Sequence, residues 1–190
     1  MLGALREQLK ALPVHQRQQV ITNISKLPDR EKVELIQLLS EIDKRTKRDA
    51  AQGGFLDFIK AVYPGYKVGA HHKRLANLLE SAVKGDKKRI IVNISPRMGK
   101  SEMASYLFPA WFLGQYPDKK IIMATHTADL SVSFGRRVRD LVDSPDYREI
   151  FPSVKLNQDA KAAGQWNTSV GGQYYAVGVG GALAGRGADV

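Results

Sequence analysis

An α/β domain, with helices laid on the faces of a parallel sheet, is predicted by three observations. Short β-branched apolar runs at 89–94 (RIIVNI) and 120–124 (KIIMA) have the length and composition of buried parallel strands. Each is followed by a segment of helical periodicity, at 100–113 and at 129–142. Two strand-then-helix units in succession make a βαβ layout, whose crossovers bring the strands parallel.

The size allows this. With 190 residues the chain can hold one medium domain with its own core, plus an arm or subdomain. Hydrophobic residues are 43% and charged residues 25%, the balance of a soluble globular protein. No run approaches ~18 consecutive apolar residues, so no membrane span is expected. The N-terminus (MLGALREQLK) lacks the apolar core of a secretory signal, and a cytosolic setting is the default expectation. The absence of cysteine excludes disulfides and thiolate metal sites.

The net charge of +10 is unevenly spread. Residues 60–100 carry ten basic side chains, among them Lys84, Lys87, Lys88, Arg89, Arg97 and Lys100, against only Glu80 and Asp86. Such clustering suits a polyanion, nucleotide or DNA, and equally suits a solvated basic helix.

In the first 50 residues the pattern is helical. Leu2, Leu5, Leu9 and Leu12 form one stripe, interrupted by Pro13; Val20, Ile21, Ile24 and Leu27 form a second, ended by Pro28. Asp29 is placed as an N-cap, with Val33, Ile36, Leu39 and Ile42 along one face. The segment 43–54 (DKRTKRDAAQGG) reads as a linker between a helical arm (1–50) and the main domain (55–190). Beyond it come a helix at 55–62, a turn at Tyr63-Pro64-Gly65-Tyr66 and a helix at 72–83 ended by Gly85-Asp86. Thr127 is the expected N-cap of the helix at 129–142. Residues 166–169 and 173–179 flank Gly171-Gly172 as a β-hairpin.

Between the first strand and its helix stands Ser95-Pro96-Arg97-Met98-Gly99-Lys100-Ser101. A phosphate-binding loop needs a strand, a tight turn of exposed N–H groups, a lysine, and a hydroxyl opening a helix. Gly99 would let the backbone wrap a phosphate, Lys100 would supply a mobile positive charge, and Ser101 could hold Mg²⁺ at the helix N-terminus. The usual GxxxxGK[ST] spacing would put glycine where this chain has Ile94. Arg97 could reach a γ-phosphate, or simply be a solvated loop arginine.

The string SPRMGKSEMASYLFPAWFLGQYPDKKIIMATHTADLSVSFGRRVRDLV, with the later WNTSVGGQYYAVGVGGALAGRGADV, resembles the large subunit of tailed-phage terminases, the DNA-packaging motors. The resemblance covers roughly residues 55–190. In that family the loop typically lacks the leading glycine and carries an arginine before Gly-Lys-Ser/Thr, so Ile94 and Arg97 fit it. The resemblance implies a P-loop NTPase of the additional-strand, catalytic-glutamate (ASCE) type that runs as a homo-oligomeric ring around double-stranded DNA in the cytoplasm of an infected bacterium. It implies ATP and Mg²⁺ as cofactors, and the small terminase subunit and the procapsid's portal protein as partners. Residues 95–101 would cradle the phosphates, with Lys100 and Ser101 on phosphate and Mg²⁺ and Arg97 sensing the γ-phosphate. His71 or His72 would help seat the base. Arg186, in Gly185-Arg186-Gly187, would be a finger acting on a neighbouring subunit, or a plain turn arginine. Arg136, Arg137 and Arg139 would face DNA, a subunit or solvent.

In the family the strand carrying the Mg²⁺-binding aspartate and catalytic glutamate begins near Ala188-Asp189-Val190, and no such run occurs within these residues. The chain is therefore expected to be the N-terminal part of an ATPase domain, poorly active alone, with the family's nuclease outside it. The arm at 1–50 would dock a partner or pack as a lid. Two other readings stand beside this one: another P-loop ATPase such as a helicase, and a non-catalytic DNA-binding or assembly module.

Overall fold

The computed structural model describes Pro13 and residues 28–190, except the side chains of 158–161. The two apolar stripes expected at Leu2–Leu12 and Val20–Leu27 lie outside the described residues. Contacts divide the chain into two compact units, Met1–Asp49 and Ala50–Val190.

Helix α1 (Asp29–Gly53) begins in the first unit. Lys32 N–H bonds the Pro28 carbonyl at 3.0 Å, so Asp29 lies inside the first turn rather than capping it. There its carboxylate faces the helix dipole favourably and pairs with Lys32 at 2.9 Å. The buried stripe also differs from expectation: Leu35 and Ile42 are buried, while Val33 and Ile36 are exposed. The leucine at 35 is one helical turn from Leu38 and Leu39 and two from Ile42, which makes the better seam.

No linker follows at 43–54. The helix continues through Gly53 because Lys, Arg, Asp, Ala and Gln in this stretch are compatible with helix, and Asp43–Lys47 adds an i,i+4 pair at 3.7 Å. The glycine pair instead ends one helix and starts the next. Gly54 is extended (φ −133°, ψ 128°) and caps α2 (Phe55–Val62).

The second unit is built around helices α2, α3 (Ala70–Val83) and the long helix that starts at residue 100. That helix has a π-helical segment, Glu102–Leu107, then α4 (Phe108–Gln115). The Phe108 N–H reaches back to Met103 O, five residues away. Pro109 follows at once; it has no N–H to give and would crowd the carbonyl four residues before it, and the wider turn relieves this. Residues 108–113 of α4 are all buried, as expected of a helix apolar on every side. Phe55 packs on Trp111 at 5.4 Å, the Trp111 indole donates to Ala51 O at 3.1 Å, and Tyr147 OH donates to Ala110 O at 2.8 Å.

The sheet is mixed, whereas the sequence predicts a parallel sheet with one hairpin beside it. Strands β1 (Lys120–Thr125), β2 (Leu156–Ala162), β3 (Gln165–Thr168) and β4 (Gln173–Gly178) lie in the order β1-β4-β3-β2. β1 and β4 are parallel, from Lys120↔Gln173 to Thr125↔Gly178; the other two pairings are antiparallel. The cause is connection length. Only short turns separate β2 from β3 and β3 from β4, and such turns can join only antiparallel neighbours.

The expected strand at 89–94 does not form. A strand exists only where a neighbour completes its ladder. The edge of β1 away from β4 is taken at its start by the segment 189–190: Asp189 N–H bonds Lys120 O at 2.8 Å, and Ile122 N–H bonds Val190 O at 2.9 Å. Ile91 is accordingly 89% exposed, while Val92 rests against the core.

Helix α5 (Ala128–Val142) covers the sheet, with Thr127 as its N-cap accepting from Leu130 N–H at 3.3 Å. It approaches closely at Gly135, whose carbonyl accepts from the Trp166 indole at 3.0 Å; Trp166 in turn stacks flat on Tyr174 at 5.1 Å. The short α6 (Pro145–Ile150) follows, capped by Ser144. Among the described residues no helix is long and apolar enough to cross a membrane.

Candidate functional site

The segment 95–101 is an exposed turn running directly into a helix. Proline at 96 starts the turn, and residue 100 is already helical. Met103 N–H makes the first helical bond to Gly99 O at 3.0 Å. Arg97 (φ 62°) and Gly99 (φ 75°) both sit in the left-handed region, and Met98 between them does not. Alternation of hand turns neighbouring N–H groups toward a common side, making a concavity suited to anions. The helix start adds unsatisfied N–H groups and a partial positive charge. For arginine the left-handed conformation is strained, so the surrounding contacts must hold it.

Those contacts come from α3 and the turn before it. Gly69 N–H donates to His72 Nδ1 at 2.9 Å, closing the start of α3. A neutral imidazole accepting at Nδ1 carries its proton on Nε2. That Nε2 lies 3.2 Å from Met98 O and 3.0 Å from His71 Nε2. Tyr66 meets the His72 ring edge-on at 5.3 Å, and His71 lies 3.9 Å from it. A Cβ built on Gly99 would stand 2.7 Å from His72 Nε2 and 3.0 Å from Tyr66 OH, so glycine is required there by space as well as by φ.

Between these groups is an open cavity of about 440 Å³, lined among others by Tyr63, Tyr66, His71, His72, Arg97 and Glu102. The Tyr66 hydroxyl is buried with no hydrogen-bond partner among the described residues. Burial first, then the charge of Glu102, raises its pKa. Burial first, then His71, lowers that of His72, which keeps the ring neutral near pH 7. Lys100 folds back so that Nζ reaches the Ile94 carbonyl at 3.5 Å, a weak bond that a stronger acceptor would replace. Glu102 is matched by Arg137 of α5 at 2.6 Å, and the same guanidinium lies 4.1 Å over the Tyr106 ring. The loop's own Arg97 and Lys100 therefore set its positive character.

His71, His72, Arg97, Met98 and Gly99 come together in one cavity. Ser95, Pro96, Lys100 and Ser101 continue the same loop without lining that cavity, and the Ser101 side is exposed. Arg186 is elsewhere. Its guanidinium lies 3.9 Å over Tyr175, in a separate cavity of about 250 Å³ that includes Lys120 and Gln173 and no residue of 95–101. Of the α5 arginines, Arg139 pairs with Asp140 at 2.7 Å and Arg136 is exposed. Lys84, Lys87, Lys88 and Arg89 are all exposed in the segment after α3. Sequence reasoning read Tyr63 and Tyr66 only as turn residues and did not single out Glu102. The one signal available was the aromatic pair flanking Pro64-Gly65, one helix before the loop in sequence.

Comparison with protein-family models, with curated proteins and with solved structures finds no match to this chain.

Proposed function

We propose that residues 95–101 bind the phosphates of ATP with Mg²⁺, and that the chain is the ATP-binding part of a viral DNA-packaging motor of the terminase large-subunit kind. The observation that carries the phosphate reading is the backbone of 97–99. Its alternating hand, followed immediately by a helix N-terminus and flanked by Arg97 and Lys100, fits a polyphosphate in shape and charge. The adjoining cavity of about 440 Å³ has room for a nucleoside. Ser101, exposed in the first turn, fits as the hydroxyl that holds Mg²⁺, which would neutralise phosphate charge there. The motor assignment rests on the resemblance of 95–142 and 166–190 to that family. In that setting hydrolysis drives translocation of double-stranded DNA into a procapsid, with small-subunit and portal partners and a homo-oligomeric ring in the host cytoplasm.

The test is equilibrium binding of a fluorescent ATP analogue with Mg²⁺ to the full chain, to Lys100→Ala and to Arg97→Ala. Binding should fall at least tenfold in Lys100→Ala. In Arg97→Ala the loss should be confined to triphosphate over diphosphate. Equal affinity of wild type and Lys100→Ala would refute the phosphate reading. Affinity for duplex DNA that falls steeply with salt yet ignores ATP would favour a non-catalytic DNA-binding module instead.

A further inference from the structure

We propose that His72 is a positioning residue for the loop, holding residues 97–99 in their anion-ready conformation before any ligand arrives. Its consequence for ligand binding rests on the phosphate reading above; the contact itself does not.

Three constraints fix the imidazole. Gly69 N–H donates to Nδ1 at 2.9 Å, which sets the tautomer and leaves Nε2 as the donor. Tyr66 meets the ring edge-on, and His71 flanks it with its Nε2 3.0 Å from that of His72. The ring so fixed does two things to the loop. Its Nε2–H reaches the Met98 carbonyl at 3.2 Å, between the two left-handed residues Arg97 and Gly99. Its edge also occupies the space over Gly99 Cα, where even a methyl group would come within 2.7 Å. Rotation of the 98–99 peptide would break the bond or drive the carbonyl into the ring. A donor anchored to a helix start thus holds in place the one peptide whose orientation decides where the loop's N–H groups face. The strained φ of Arg97 also requires such a hold.

This role differs from contact with a nucleobase, and two substitutions separate the ring's two nitrogens. In His72→Asn the side-chain oxygen can still accept from Gly69 N–H, but no donor reaches Met98. In His72→Gln the longer side chain presents an N–H near the place of Nε2. The experiment is amide hydrogen exchange of the full chain at 97–103, with 108–115 as the internal control, together with affinity for inorganic tripolyphosphate and Mg²⁺. Exchange at 97–103 should rise in His72→Asn and His72→Ala and stay near wild type in His72→Gln, while 108–115 is unchanged. Tripolyphosphate affinity should fall about fivefold in Asn and Ala, the effect of one net hydrogen bond, and less than twofold in Gln.

Wild-type exchange at 97–103 in His72→Asn would overturn the proposal, leaving the histidine as a helix cap only. Loss of ATP affinity with tripolyphosphate affinity intact would overturn it as well, since the ring would then contact the base. If the exchange pattern is as expected but wild type binds no tripolyphosphate, the loop contact stands and the phosphate reading falls.

Discussion

Replacing Gly135 with alanine should destabilise the protein, inverting the usual effect of that change in a helix. In an exposed helix interior the substitution gains about 1 kcal/mol. At Gly135 the new Cβ would stand 2.5 Å from the Ala163 carbonyl oxygen and 3.0 Å from Tyr174 Cε1. The first of these is backbone in the turn between β2 and β3, and it cannot rotate away. Because Cβ atoms essentially never come within 3.0 Å of such a neighbour, α5 and that turn must part by about half an ångström. Overpacking of this kind costs about 1–3 kcal/mol. The same movement stretches the 3.0 Å bond from the Trp166 indole to Gly135 O, and an unpaired buried donor costs about 1–3 kcal/mol more. Less the helix gain, the net is a loss of about 1–5 kcal/mol, which lowers Tm by about 2–4 °C per kcal/mol. Near-UV circular dichroism on heating measures it, with Gly53→Ala as control, since nothing lies within 4 Å of a Cβ at Gly53. A Gly135→Ala protein that melts at or above the wild type would refute the close approach of α5 to the 163–164 turn.

Two further outcomes follow from the site and the core. His72 has a lowered pKa, so the fold prefers its neutral form; the stability this contributes is present above the ordinary histidine value of about 6.5 and is lost as pH falls through the lower folded value. The groups facing it are Tyr66, His71, Lys67, Arg97 and Glu102, and loop exchange at 97–103 should rise over that acid window; an NMR titration midpoint for His72 above 6.5 would contradict this. Trp111→Phe removes the indole donor to Ala51 O and leaves that carbonyl unpaired among buried side chains, so urea unfolding should show a loss of about 1–3 kcal/mol, whereas an unchanged midpoint would mean water or another donor replaces the bond.

Features whose cause is local were legible in the sequence. The Thr127 cap, helix 55–62, the strand at 120–124 (observed as 120–125) and the hairpin about Gly171-Gly172 each depend on a few adjacent residues, and each is observed. Features decided by distant partners were not. RIIVNI has strand composition, but whether it pairs depends on which segment reaches the β1 edge, and 189–190 takes its start. β2 and α6 were missed because LNQDAKA alternates poorly and PDYREI is only six residues long, although Ser144-Pro145 is a legible helix start. At the site, the loop itself was visible as a string. The companions that shape it, Tyr66 and Glu102, were hidden because their relevance comes from packing between residues distant in sequence, the Tyr66 hydroxyl against Gly99 and Glu102 against Arg137, 35 residues on.

The π-helical segment at 102–107 has a consequence for the direction in which the loop faces. A π turn carries one residue more than an α turn, and each residue advances a helix by about 100°. Residues 99–101 are therefore out of phase by roughly that angle with where an unbroken helix would set them relative to Trp111 and Leu113. The helical winding between the loop and Pro109 acts as an angular setting, largely independent of which side chains fill it. Converting 102–107 to α geometry without removing a residue would swing the basic loop to another quarter of the circumference, whereas deleting one residue from 103–107 would absorb the extra residue and leave the loop facing as it does.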